Sequence, residues 1–511
     1  GQLLIEPVSG DFSGAFNPTD AGFVFDADLG GLTIGKASSA DGSSDANLTI
    51  GSNVSIAGPI ALYGGNITVN ANLISTDEGS EILVKASKAI ATAADVTIQT
   101  DGGDIMLWAD TQAAAAGNIS LGDNNSINST GGQTTSGLSG GGDIVLAGGL
   151  DDDGDGKPDG FAQGTSVTGL VLGSTSSSHT RIHSGGGDIV LKAKASGSKA
   201  YHGVHATGEL TIDSGTGAIS VTGVTSAYGD AVWFSDGVNS GGTGTTLRSA
   251  KTTGTAIEIA GQANLDSTSR GIAFGSPHDQ VLATGAGDVA LSGLGRRRGI
   301  DLVRADVLAA GGEILLEGRL SNPTRSDAYA VYWYDSSLGA RASTTLSASA
   351  IESSSADVVI RADSIELRAL NQSNQIVTTG SVTIEPYSTS FDGPFEWPAD
   401  GVVYANLAVA PTVSELTIGK PSNTAQVTLS EAIDVAGPIT VFGGDVMLND
   451  TLTAAENADI VVSATGNFVN NAGSSAINVS GAGRWIVYAG SALGNTYGNL
   501  DSQNLAVWEE N

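Results

Sequence analysis

The chain of 511 residues contains no cysteine, so neither a disulfide framework nor thiol chemistry is available to it. Aromatic residues make up only 5% of the chain, which excludes a core built mainly on large rings. Basic residues are also scarce: 22 Lys and Arg against 54 Asp and Glu leave a net charge of −32. A field of that sign repels phosphate, so nucleic acid and an anionic membrane surface are excluded as partners, whereas divalent cations suit it. No apolar run is long enough to span a bilayer, so no transmembrane segment is expected. The chain begins at Gly1 without a signal peptide, from which we expect a mature fragment or an internal segment.

What the chain has in abundance is glycine, 72 residues, together with Ser, Thr, Asn and Asp. Such a composition would suggest disorder, but a hydrophobic content of 40% at regular spacing argues for a packed core. A short phrase of the type Gly-Gly-Asp-Ile-apolar-Leu recurs, with apolar centres at Ile105, Ile119, Ile144, Ile189, Ile219, Val289, Ile314, Val358 and Val382. Most lie roughly 25 residues apart, and the wider gaps are expected to hide a rung. Within Asp143-Ile144-Val145-Leu146 the apolar residues alternate, which is the strand period of two. The glycines ahead of each phrase let the backbone turn where a Cβ would clash.

A second column shares the pattern small-apolar-variable-apolar: Gly203 to Ala206, Ala231 to Phe234, Ala256 to Ile259, Gly271 to Phe274, Gly299 to Leu302 and Ala330 to Trp333. Val204, Val232, Ile257, Ile272, Ile300 and Val331 should form one inward ladder, with His205, Trp233, Glu258, Asp301 and Tyr332 on the outer face. Strand, turn and strand repeated in this way, with almost no helical periodicity, predict an all-β fold: a right-handed parallel β-helix, or solenoid rod, with loop insertions.

A longer repeat lies over the short one. Leu32-Thr33-Ile34-Gly35-Lys36 returns as Leu416-Thr417-Ile418-Gly419-Lys420, and Ala57-Gly58-Pro59-Ile60 returns as Ala436-Gly437-Pro438-Ile439. Phe12 and Phe16 are answered by Phe391 and Phe395. We therefore divide the chain into a first copy at 1–100, a central β-helix at 101–385 with an insertion at 150–160, and a partial second copy at 386–511. The segment from Trp485 to Trp508 is expected to be a cap or the start of a further module.

These phrases, with the closing run Gly483-Arg484-Trp485-Ile486-Val487-Tyr488 and Tyr497-Gly498-Asn499-Leu500-Asp501, resemble the rod of filamentous-haemagglutinin-type large exoproteins. The resemblance covers essentially the whole chain and implies a segment of a secreted bacterial surface adhesin, often exported by two-partner secretion. The chain lacks the secretion-domain motif of the Asn-Pro-Asn-Gly kind, in keeping with an internal segment.

One stretch carries metal chemistry. In Asp151-Asp152-Asp153-Gly154-Asp155-Gly156-Lys157-Pro158-Asp159, carboxylates stand at loop positions 1, 3, 5 and 9, Gly156 at position 6 and the Lys157 carbonyl at position 7. That spacing curls a loop around Ca²⁺, because alternate oxygens converge and the glycine permits the sharp turn. Ala162 stands where a bidentate Glu would complete an EF-hand, so a further ligand must come from outside the loop. The competing reading is a solvated acidic loop.

Other candidates are weaker. Gly30 to Lys36 nearly spells a phosphate-binding loop, but Ala37 replaces the required Ser or Thr, and these are read as turn glycines. His179, His183, His202 and His205 bunch in sequence and could hold a transition metal, although surface histidines on neighbouring rungs explain them equally. Arg296, Arg297, Arg298, Arg304, Arg319, Arg325 and Arg341 accompany Tyr329, Tyr332, Trp333 and Tyr334. Guanidinium forks and ring faces would suit an acidic glycan, with Trp233, Tyr332, Tyr334 and Arg296 to Arg298 as the ligand set. Against it stands a reading in which Trp333 is core and the arginines balance neighbouring acids. Three functions are expected in order: a non-catalytic adhesive or self-associating extracellular rod, a carbohydrate-binding module contacting a glycan or cell-surface receptor, and a polysaccharide lyase or glycosidase.

Overall fold

In the computed structural model, the structure describes residues 1–8, 11–18, 22–36, 45–113, 117–133, 140–235, 244–264, 268–276, 278–323, 327–340, 351, 353–368, 374–397, 407–455, 457–490 and 493–501. Nearly every regular element is a short β-strand, and strands join their neighbours in parallel across coils of the chain. The result is a parallel β-helix with three faces. Among the described residues the first face is a sheet of 18 strands, the second has 11 and the third 12, and sheets of 4 and 3 strands carry the second and third faces through the last coils.

Most strands bury alternate residues, which is what period two requires. On the first face Leu32, Ile60, Ile82, Ile105, Ile144 and Ile189 pair in register and are all buried, and the ladder continues to Ile439 and Ile460. Ile98, Ile127, Ile182 and Ile212 do the same on the third face. A fully buried side chain of this kind contributes about 1.5–3 kcal/mol, so the stabilising element is a column of stacked aliphatic residues running the length of the rod. With 18 strands spaced about 4.8 Å apart, the rod is on the order of 80 Å long.

The recurring Gly-Gly-Asp-Ile phrase is a corner. A Cβ on Gly142 would lie 2.3 Å from the Gly103 carbonyl carbon, one on Gly187 2.2 Å from the Gly142 oxygen, and one on Gly217 2.1 Å from the Gly187 oxygen. Glycines therefore stack on glycines. Beside them, Oδ1 of Asp104 accepts the Asp143 amide at 2.7 Å, Asp143 accepts that of Asp188 at 2.8 Å, and Asp188 accepts that of Ala218 at 2.7 Å. Buried hydroxyls close the inside of the turn: Ser129 and Ser214 each donate to a glycine carbonyl of the corner at 2.7 Å. Part of the acidic composition thus serves to satisfy backbone N–H groups where the chain changes face.

The register corrects three expectations. Val204, Val232, Ile272, Ile300 and Val331 form one inward ladder on the second face, but Ile257 lies on the first, between Ile219 and Val289, and Glu258 goes with it. Ile119 belongs to the second face, between Ile90 and Leu170. The widest gap, from Ile219 to Val289, does hide a rung, that of Ile257, but two others do not: Ile144 pairs directly with Ile189, and Ile314 with Val358, so those coils are single turns lengthened by insertions. This is also why the rod is shorter than a uniform coil length would make it.

In four successive second-face strands the small residue that opens the strand meets a glycine of the first face. Gly223, Gly261, Gly293 and Gly318 are in register on long first-face strands, flanked by Ala193 and Ala362. A Cβ on any of the four would sit 2.1–2.2 Å from the carbonyl oxygen of Ala231, Gly271, Gly299 or Ala330 respectively. None of the four has a left-handed φ, so close approach alone demands glycine there.

The long repeat builds matching features at its two places. Phe12 stacks on Phe16 at 4.4 Å and Phe391 on Phe395 at 4.9 Å. Gly35 and Gly419 share φ near +80°, at +86° and +77°, and each lies against a carbonyl of the next coil, Tyr63 or Phe442. These are turn glycines, as expected.

Candidate functional site

The acidic insertion leaves the first face at Gly148 and returns at Gly160, where the two glycines form an antiparallel bridge. Strand Ala162–Thr165 then lies along the far half of Ile189–Ser196. The insertion is anchored by a residue whose place in the strand Ile105–Ala109 turns it away from the core. Trp108 points outward from the first face, yet it is buried, and its indole donates to the Gly149 carbonyl at 2.7 Å. Lys85 of the preceding coil lies over the same ring, 3.4 Å from its centre, and burial holds its ammonium pKa below the ordinary lysine range against the opposing pull of Asp151.

Within the loop the carboxylates of Asp151, Asp153 and Asp159 each offer an oxygen, all within 4.8 Å of one another. Asp151 accepts the amides of Gly154 at 2.6 Å and Gly156 at 3.0 Å, and Asp159 accepts that of Asp152 at 2.7 Å. The alternating acidic spacing thus curls the backbone around its first carboxylate, as the sequence implies. Asp155 stands apart from the convergent group and accepts the Lys157 amide at 2.8 Å. The Lys157 ammonium turns back to Asp143 at 2.6 Å, a pairing that raises its pKa and ties the loop to the corner ladder. Three convergent, largely exposed carboxylates are a hard-oxygen donor set of the type Ca²⁺ takes, with Asp155 as a fourth within the same loop.

On the second face the outward column reads His205, Trp233, Ala273, Asp301, Tyr332 and Glu366 in register. Its members occupy one another. His205 stacks on Trp233 at 4.6 Å with 6° between planes, and His202 lies 4.7 Å from both rings. Arg270 is 5.8 Å from the Trp233 ring, Arg298 is 3.5 Å from the Tyr332 ring, and Arg368 is 5.9 Å from it. Rings stacked along the rod axis direct their faces at neighbouring coils, leaving edges for solvent.

The charges in this column are paired. Arg270 holds Asp230 through Nε at 3.1 Å and Nη2 at 2.7 Å, and reaches Asp301 at 2.9 Å. Arg298 reaches the same Asp301 oxygen at 2.6 Å. Asp301 is outward in register but completely covered. Burial alone would lower the Arg270 pKa, but Asp230 and then Asp301 raise it overall. Burial and the neighbouring His202 hold His205 down at about 3, against Asp230.

The rest of the expected ligand set is dispersed or paired. Arg297 faces Asp327 at 3.9 Å, and the Arg296 and Arg297 amides both donate to the Ser269 carbonyl. Arg304 lies 5.9 Å from the Tyr334 ring. Trp333 is core, its indole bonded to the Ser336 carbonyl at 2.9 Å. Arg325 and Arg341 lie outside the described residues, as does Trp508. The four histidines separate: His179 and His183 are on the third face, whereas His202 and His205 are on the second.

Sequence reasoning missed Trp108, Arg270 and Asp230. Trp108 carried one signal, a large ring at an otherwise variable outward position just before the insertion. No protein-family model, no curated protein and no solved structure matches this chain.

Proposed function

We propose that the chain is a non-catalytic rod segment of a secreted bacterial surface adhesin or extracellular filament, stiffened at its acidic insertion by Ca²⁺. The observation that carries this reading is the first-face ladder, paired coil after coil from Leu3–Ile5 to Trp485–Ala489. A stack in which each coil contacts only its neighbours is a spacer, holding distant parts apart at fixed length. The outward column of the second face favours this role over glycan binding through ring faces, since Trp233 and Tyr332 are stacked against histidine and arginine side chains of the protein itself.

Negative-stain electron microscopy of the purified chain tests the proposal. Straight rods on the order of 80 Å long are expected, single or joined end to end. Compact particles would refute it, and depolymerisation of an acidic polysaccharide by the purified chain would overturn its non-catalytic part. A glycan array comparing wild type with Trp233→Ala and Tyr332→Ala separates the alternative, because a ring-stacking lectin site would lose binding in both variants.

A further inference from the structure

We draw no further inference here: the strongest candidate, a cavity of about 170 Å³ on the outer side of the first face, lined by Ala61, Tyr63, Glu81 and Leu83, lies on an unpartnered sheet face, and nothing in the structure shows what covers it.

Discussion

Replacing Gly261 with alanine tests the corner between the first two faces directly. The added Cβ would lie 2.1 Å from the Gly271 carbonyl oxygen and 2.5 Å from its carbon. Relaxed contacts between heavy atoms fall near about 3.5 Å, so one backbone must move by more than about 1 Å. Neither backbone is free to do so, because Gly261 is paired with Gly223 and Gly293, while Ile272 is paired with Val232 and Ile300. Overpacking typically costs about 1–3 kcal/mol, and backbone meeting backbone puts this change at the upper end or above. In a stack of coils the damage should stay local. Hydrogen exchange read by mass spectrometry is the assay: amide protection should fall across Thr255–Ala263 and Arg270–Phe274 and remain intact near Leu32–Ile34 and Ile439–Gly443. Gly393→Ala is the control, since nothing lies within 4 Å of its would-be Cβ and its φ is ordinary. It should change stability by no more than about 0.5 kcal/mol. Wild-type protection in Gly261→Ala would refute the close-approach argument for the whole glycine column.

Calorimetric titration of the chelated protein should show Ca²⁺ binding that is abolished by Asp153→Ala or Asp159→Ala and weakened less by Asp155→Ala, whose carboxylate stands outside the convergent group. Acidification should destabilise the coils around His205. Its folded pKa of about 3 lies below the unfolded value of 6.5, so the neutral ring's contribution is complete above 6.5 and declines as pH falls toward 3, by up to about 1.4 kcal/mol per unit. His205→Phe should flatten that slope in thermal melts between pH 7 and 4, and an unchanged slope would count against the assignment. Trp108→Ala should cost about 3–5 kcal/mol and release the insertion, read as new proteolytic cleavage within 149–160. Resistance equal to wild type would mean that Gly149 and Lys157 anchor the loop without the ring.

The alternation of apolar residues was enough to read the strands, their inward sides and the class of fold, because side-chain direction along an extended chain is local and repeats every two residues. The corner glycines, the paired phenylalanines of the long repeat and the curl of the acidic loop were legible for the same reason: each depends on residues close in sequence. Which strand lies beside which depends on where a coil closes, and that is set by the length of its insertions. Ile257 has the same local pattern as Ile272, yet it stacks on Ile219, because its coil reaches the first face there. Outward residues were harder still. Period two says that Trp108, Asp301 and His183 leave the core, but only the tertiary structure brings an insertion over the first, two arginines over the second and a neighbouring coil's carboxylate beside the third. Direction is a property of the strand, whereas burial outside the core depends on segments distant in sequence that fold across it.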